Sequence, residues 1–127
     1  MKELSDLAYI TKTKLGINYN SDGVKFIEGF IERTKSYFPK DQWEELSDSC
    51  GAFLGQCIIE NYGGKWSQDE NGQFCIEFNE HNKVYPFSKV SKQFENGLED
   101  SIHSLYIAIP TVFNLQAMKK KKWWNFH

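Results

Sequence analysis

Three thiols and two of the three imidazoles are the side chains considered for nucleophilic chemistry. They are Cys50, Cys57 and Cys75, with His81 and His103 as candidate bases. A nucleophilic cysteine needs a base within reach and an electropositive or helix N-terminal setting that lowers its pKa. The local pattern supplies neither. Cys50 and Cys57 fall on the apolar stripe of a helical segment, and Cys75 falls in the middle of an alternating strand. Inert cysteines of a core and a sheet are the simpler reading. Cys50 and Cys57 are roughly 10 Å apart along a helix axis, too far for a disulfide. Reduced, buried thiols in a cytoplasmic protein are expected.

Metal chemistry fares no better. No Cys-x-x-Cys or His-x-x-x-His pair occurs, so a structural zinc site is not expected. Ser67 to Phe78 has the outline of a calcium loop, with Asp69, Asn71 and Gly72 at its third, fifth and sixth positions. Ser67 stands where the first acid should be, however, and Phe78 where the bidentate glutamate should be, with Glu77 one residue early. A hairpin turn explains the same residues. The acids Glu44-Glu45, Glu60 and Glu99-Asp100 carry no mark of a general acid–base pair. Gly63-Gly64-Lys65 lacks the spacing of a phosphate loop. No cofactor is implied by any of these patterns.

The elements that must position these residues can be read from periodicity. Trp43, Leu46, Cys50, Phe53, Leu54, Cys57 and Ile58 recur at helical spacing. They predict a central helix from Asp41, as its cap, to Tyr62, where Gly63-Gly64 ends it in left-handed geometry. Ser47, Gly51 and Gly55 form a small-residue stripe that admits the close approach of a neighbour. An earlier helix is predicted from Ser21 or Asp22, with Val24, Ile27, Phe30, Ile31, Thr34 and Phe38 inward and Pro39 ending it. The short link between these two helices predicts an antiparallel hairpin. Residues 3 to 14 form a further short helix, with Leu4, Leu7, Ala8 and Ile10 or Thr11 inward.

After Gly64 the period changes to two. Lys65 to Gln68, an alternating strand with Phe74, Ile76 and Phe78 inward, and Lys83 to Phe87 make a three-stranded antiparallel meander. Asp69-Glu70-Asn71-Gly72 is its first turn, where Asn-Gly suits the positive backbone angles of a tight hairpin, and Asn79 to Asn82 is its second. Pro86 marks the end of the last strand. Ser88 caps a short helix ending near Gly97. Asp100 or Ser101 caps another, with Ile102, Leu105, Tyr106 and Ile109 on one side and Pro110 interrupting it. The fold class is therefore α+β: an N-terminal helical hairpin with a long central helix, the meander, then C-terminal helices. Residues 1–117 form one domain, and 118–127 a basic and aromatic tail.

Charge separates those two parts. The chain of 127 residues has 15 basic and 17 acidic residues and a net charge of −2. Setting aside Lys119, Lys120, Lys121 and Lys122 leaves eleven basic against 17 acidic residues, a charge of −6. An acidic body argues against general nucleic-acid binding. The N-terminal MKELSDLAYITKTK lacks the apolar region of a signal peptide, and no stretch is apolar enough to span a bilayer. In the tail, Lys119 and Lys120 with Trp123, Trp124 and Phe126 suit an anionic membrane surface, with lysines on head groups and indoles in the interface. The same residues suit phosphate contacts with stacking, an oligomer interface, or a return of the tryptophans onto the domain.

The run Gly51-Ala52-Phe53-Leu54-Gly55, then Gly63-Gly64-x-Trp66, a hairpin, Tyr85-Pro86-Phe87-x-Lys89-Val90 and Asp100-Ser101-Ile102 resembles small bacterial domains of unknown function. Some of these are similar to immunity proteins of contact-dependent or polymorphic toxin systems. The resemblance covers about residues 21 to 109. It implies a fold and a protein partner, a toxin, and offers no catalytic residue. An immunity surface works by setting acids against a basic active site. Glu77, Glu80 and His81 around the hairpin are the expected contacts, with Trp66 and Tyr85 as aromatic anchors. The expected function is a non-enzymatic protein-binding module. The alternatives are a small enzyme with a cleft cysteine or carboxylate, and peripheral membrane attachment through the tail.

Overall fold

The computed structural model describes residues 1–114. Helix α1 spans Lys2–Leu15, α2 Ser21–Thr34 and α3 Trp43–Tyr62. Strands β1 (Lys65–Gln68), β2 (Phe74–Asn79) and β3 (Asn82–Val84) follow, then α4 (Pro86–Asn96) and α5 (Ile102–Val112). Short 3-10 turns at Lys40–Gln42 and Gly97–Asp100 lead into α3 and α5. The three strands form one antiparallel sheet in the order β1-β2-β3. This is the α+β arrangement expected from the periodicity. The predicted boundary at 117/118, and with it the tail, lies outside the described residues.

Helix α3 is the centre of the molecule. It packs most extensively on α4 and α1, and it also touches α2, α5 and the sheet. Between Cys50 and Ile58 every residue but Gln56 is buried, so this segment is covered nearly all round rather than along one stripe. Its glycines make that possible. A methyl group on Gly51 would strike the Phe87 ring of α4, and one on Gly55 would collide with the Trp66 indole of β1. The two rings themselves lie 5.7 Å apart. Helix α2 rests on α3 but packs more widely against α5.

Several local expectations are corrected. Asp41 does not cap α3: it sits in the preceding 3-10 turn, and no side chain caps the helix. Glu44 and Glu45 instead place acids in the first turn, where the helix dipole favours them, and Trp43 Nε1 donates to the Phe38 carbonyl at 3.1 Å, fastening the link. At α2 the cap is Asn20, whose Oδ1 accepts the Gly23 amide at 2.8 Å, and the helix ends at Thr34, short of Phe38.

The third correction concerns Pro86. The sequence places it at a strand end, but β3 stops at Val84 and Pro86 opens α4. Proline suits a first helical turn, because its fixed φ is helical and its missing N–H would have had no partner there. Ser88 consequently lies inside the turn rather than at a cap. The fourth is the β1–β2 turn. Only Gly72 has positive φ (79°), and Asn71 does not share it. Gly72 N donates to Asp69 O and Asp69 N to Gln73 O, which is the geometry of a type I turn closed by a left-handed glycine.

At the C-terminal side Ser101 caps α5, its hydroxyl accepting the Ser104 amide at 3.0 Å. Ile102, Tyr106 and Ile109 are buried, as the spacing requires, and the helix continues past Pro110 to Val112. Gly63 and Gly64 both have positive φ and end α3 in an extended turn rather than a left-handed one.

Candidate functional site

The hairpin surface is built by two turns that use their own side chains. Asp69 Oδ1 accepts the Asn71 and Gln73 amides, each at 2.9 Å, while Oδ2 accepts the Tyr85 hydroxyl at 3.1 Å. The Gln73 amide bond is the main reason the Asp69 carboxyl is held below its ordinary pKa, and the Tyr85 contact adds to it. The Tyr85 phenol is pushed up by the same bond. Both oxygens of Asp69 are thus committed to the turn, which answers the calcium-loop outline: these residues close a hairpin. Asn79 Oδ1 accepts the His81 and Asn82 amides at 2.9 and 3.0 Å and shapes the second turn.

That second turn presents Glu80 and His81 to solvent. Their side chains are more than four-fifths exposed, with His81 Nε2 3.5 Å from Glu80 Oε1. Glu77 and Glu80 line an open concavity of about 460 Å³ together with Lys65 and the half-buried Phe78. The Phe78 ring packs on Phe113, 5.3 Å between centroids. Glu77 and Glu80 thus line one concavity, and His81 stands beside Glu80. Tyr85 is half-buried, and its hydroxyl ties it to Asp69 of the first turn, at the end of the sheet away from Glu80 and His81. Trp66 is not a surface anchor: it is 8 % exposed, packs against Gly55, and donates its Nε1 to Gln56 Oε1 at 3.4 Å. Its place on the sheet face towards α3 puts it in the core. Lys119, Lys120, Trp123 and Trp124 lie outside the described residues.

The thiols are sequestered. Burial pushes the Cys50 thiol up to about 12, and it raises Cys57 and Cys75 as well. All three have at most 2 % of their surface exposed. No cysteine is hydrogen-bonded to a histidine among the described residues: His81 faces Glu80, and His103 faces Ser21. Cys75 has no exposed surface although alternation puts it opposite Ile76. Among the described residues no three metal-binding side chains converge, and no helix is long and apolar enough to cross a membrane.

Two features escaped the sequence reading. Ser21 Oγ lies 3.0 Å from His103 Nε2, joining the starts of α2 and α5. The residues are 82 apart in sequence, and no motif links them. Ser21 is exposed and His103 half-buried, and among the described residues no carboxylate holds the other ring nitrogen, the place of the orienting group in a catalytic triad. The second feature is an open groove of about 490 Å³ where α1, α2 and α3 meet. This groove lies between helices and does not touch the sheet. Cys50 lines it, and His81 and His103 do not.

Comparisons with protein-family models, with curated proteins and with solved structures found no match. Gly51, Gly55, Trp66 and Phe87 form one packing cluster around α3.

Proposed function

We propose that this protein is a non-enzymatic binding module that receives a basic protein partner on the β2–β3 hairpin. The observation that carries this reading is the shared concavity of Glu77, Glu80 and Phe78. Among the described residues neither carboxylate is held by a lysine or arginine. Two acids beside an aromatic ring suit a lysine or arginine side chain, whose charge meets the carboxylates while its stem lies on the ring. Acids at such a rim steer encounter with a basic partner and set specificity. A toxin with a basic active site is the partner class that an immunity protein would cover in this way.

The test is affinity capture from the native host's lysate with the full chain, tagged at Met1, compared with a Glu77→Lys/Glu80→Lys variant. A stoichiometric partner that is lost from the variant supports the reading, and its association rate should fall as salt rises. A partner retained equally by the variant, or none with either protein, overturns it.

A further inference from the structure

The described residues end beside the hairpin concavity. Phe113, at the end of α5, packs on Phe78 with 5.3 Å between ring centroids, and Phe78 is part of the concavity's lining. Asn114 follows with positive φ (57°), the left-handed geometry that stops a helix, and its amide returns to the Thr111 carbonyl at 3.3 Å. The chain therefore leaves α5 next to a wall of the concavity. Lys119 is the fifth residue after Asn114 and lies within about 17 Å of it even at full extension. Residues 119–122 are an unbroken run of lysines, and Trp123 and Trp124 follow them.

Charge and tether point the same way. Glu77 and Glu80 line the concavity beside a single lysine, Lys65, and among the described residues no ion pair joins that lysine to either acid. The rest of the chain offers other acids, but distance sorts them. Glu44 and Glu45 sit in the first turn of α3, roughly 30 Å along its axis from Gly64, which also lines the concavity. A short tether raises the local concentration of the lysines to about the millimolar range at the acids it reaches, and to almost nothing at those it cannot span. We infer that the lysines at 119–122 dock in the Glu77–Glu80 concavity of their own chain, so that the isolated protein carries its own basic occupant there and an incoming basic partner has to displace it. The displacement rests on the reading of the hairpin as a partner surface; the docking does not.

A nitroxide spin label on the full chain tests this. Asn125→Cys places one thiol beyond the lysines for the label, while Cys50, Cys57 and Cys75 are buried. The label should broaden the backbone amide signals of Lys65, Glu77 and Glu80 in the same chain, and these signals should recover at about 1 M salt, where the screening length shrinks to about 3 Å. Glu77→Lys/Glu80→Lys should remove the broadening. So should serine at all four of residues 119–122, a variant that leaves every described residue unchanged and so does not depend on the hairpin tolerating new charges. Broadening absent from these amides, or indifferent to both charge variants, overturns the inference. So does broadening that passes only from a spin-labelled copy to a second, isotope-labelled copy without the nitroxide. The experiment contains no partner, so the two readings fail separately: docking without a captured partner leaves this inference and removes the proposed function, and a captured partner without docking does the reverse.

Discussion

Gln93 Oε1 accepts the backbone N–H of Ile102 at 2.8 Å, so a side chain of α4 satisfies the amide that opens α5. Gln93 has no exposed surface. Its amide donates in turn to Glu32 Oε2 at 3.0 Å and to the Glu28 carbonyl at 3.4 Å on α2. One residue thus fastens three helices. Gln93→Leu fits the space but leaves the buried Ile102 amide without a partner. It should destabilise the fold by about 2 kcal/mol, read as a lower urea midpoint at unchanged slope. A midpoint equal to wild type would show that the Ile102 amide finds another acceptor.

The contact between Gly55 and Trp66 predicts a substitution effect opposite to helix propensity. Alanine at Gly55 should add about 1 kcal/mol of helix stability, but its methyl group meets the indole. Overpacking of this kind costs about 1–3 kcal/mol, so Gly55→Ala should lower stability. Combining it with Trp66→Leu should cost less than the two single changes together, since the smaller side chain removes the collision. Additive losses would place the fault elsewhere.

The thiols should be silent in the folded protein. With Cys50 pushed up to about 12 from 9.0, its thiolate fraction near neutral pH falls by about three orders of magnitude. Burial then blocks the reagent as well. Native labelling of Cys50 with a thiol reagent should therefore be slower than for a free cysteine by at least that factor, Cys57 and Cys75 should also label slowly, and all three thiols should react promptly in urea. One fast thiol in the native protein would reopen the thiol-enzyme reading.

Stability should fall at both ends of the pH range, for different groups. Burial raises the Glu32 carboxyl, but hydrogen bonds from Lys35 and Gln93 outweigh it and leave it below its ordinary value. Asp100 is lowered chiefly by its hydrogen bond from Asn96, with Lys89 adding to it. A carboxylate depressed in the folded state stabilises above its unfolded pKa and loses that stability as pH falls through the folded one. The acid loss therefore begins below the ordinary values of 4.5 and 3.8. Glu32→Gln and Asp100→Asn should flatten the acid limb of urea midpoint against pH.

The alkaline limb has the reverse sign. Burial raises Cys50 and Tyr106, so these groups ionise more readily in the unfolded chain. Their contribution is complete below the ordinary values of 9.0 and 10.0 and declines as pH rises past them. Tyr106→Phe should shallow this limb without changing the acid one. An unaltered alkaline slope would remove Tyr106 as its source.

By itself the sequence determined the element types and most of their positions. The helical stripes of α2, α3 and α5, the alternation in β2, and the turn residues at Asp69–Gly72 and Asn79–Asn82 are local patterns set by backbone geometry within a few residues. The surface grouping of Glu77, Glu80 and His81 was legible for the same reason, because one short hairpin carries all three. What only the tertiary structure decided involves residues far apart in the chain. Trp66 reads as an exposed aromatic until Gly55 of α3 is set beneath it. Pro86 reads as a strand end, yet it opens α4, where Phe87 reaches Gly51. The Ser21–His103 and Gln93–Ile102 bonds and the groove above Leu46 leave no local pattern. They arise from the way α1, α2, α4 and α5 are set around α3, and packing of that kind depends on the shapes of all its neighbours at once.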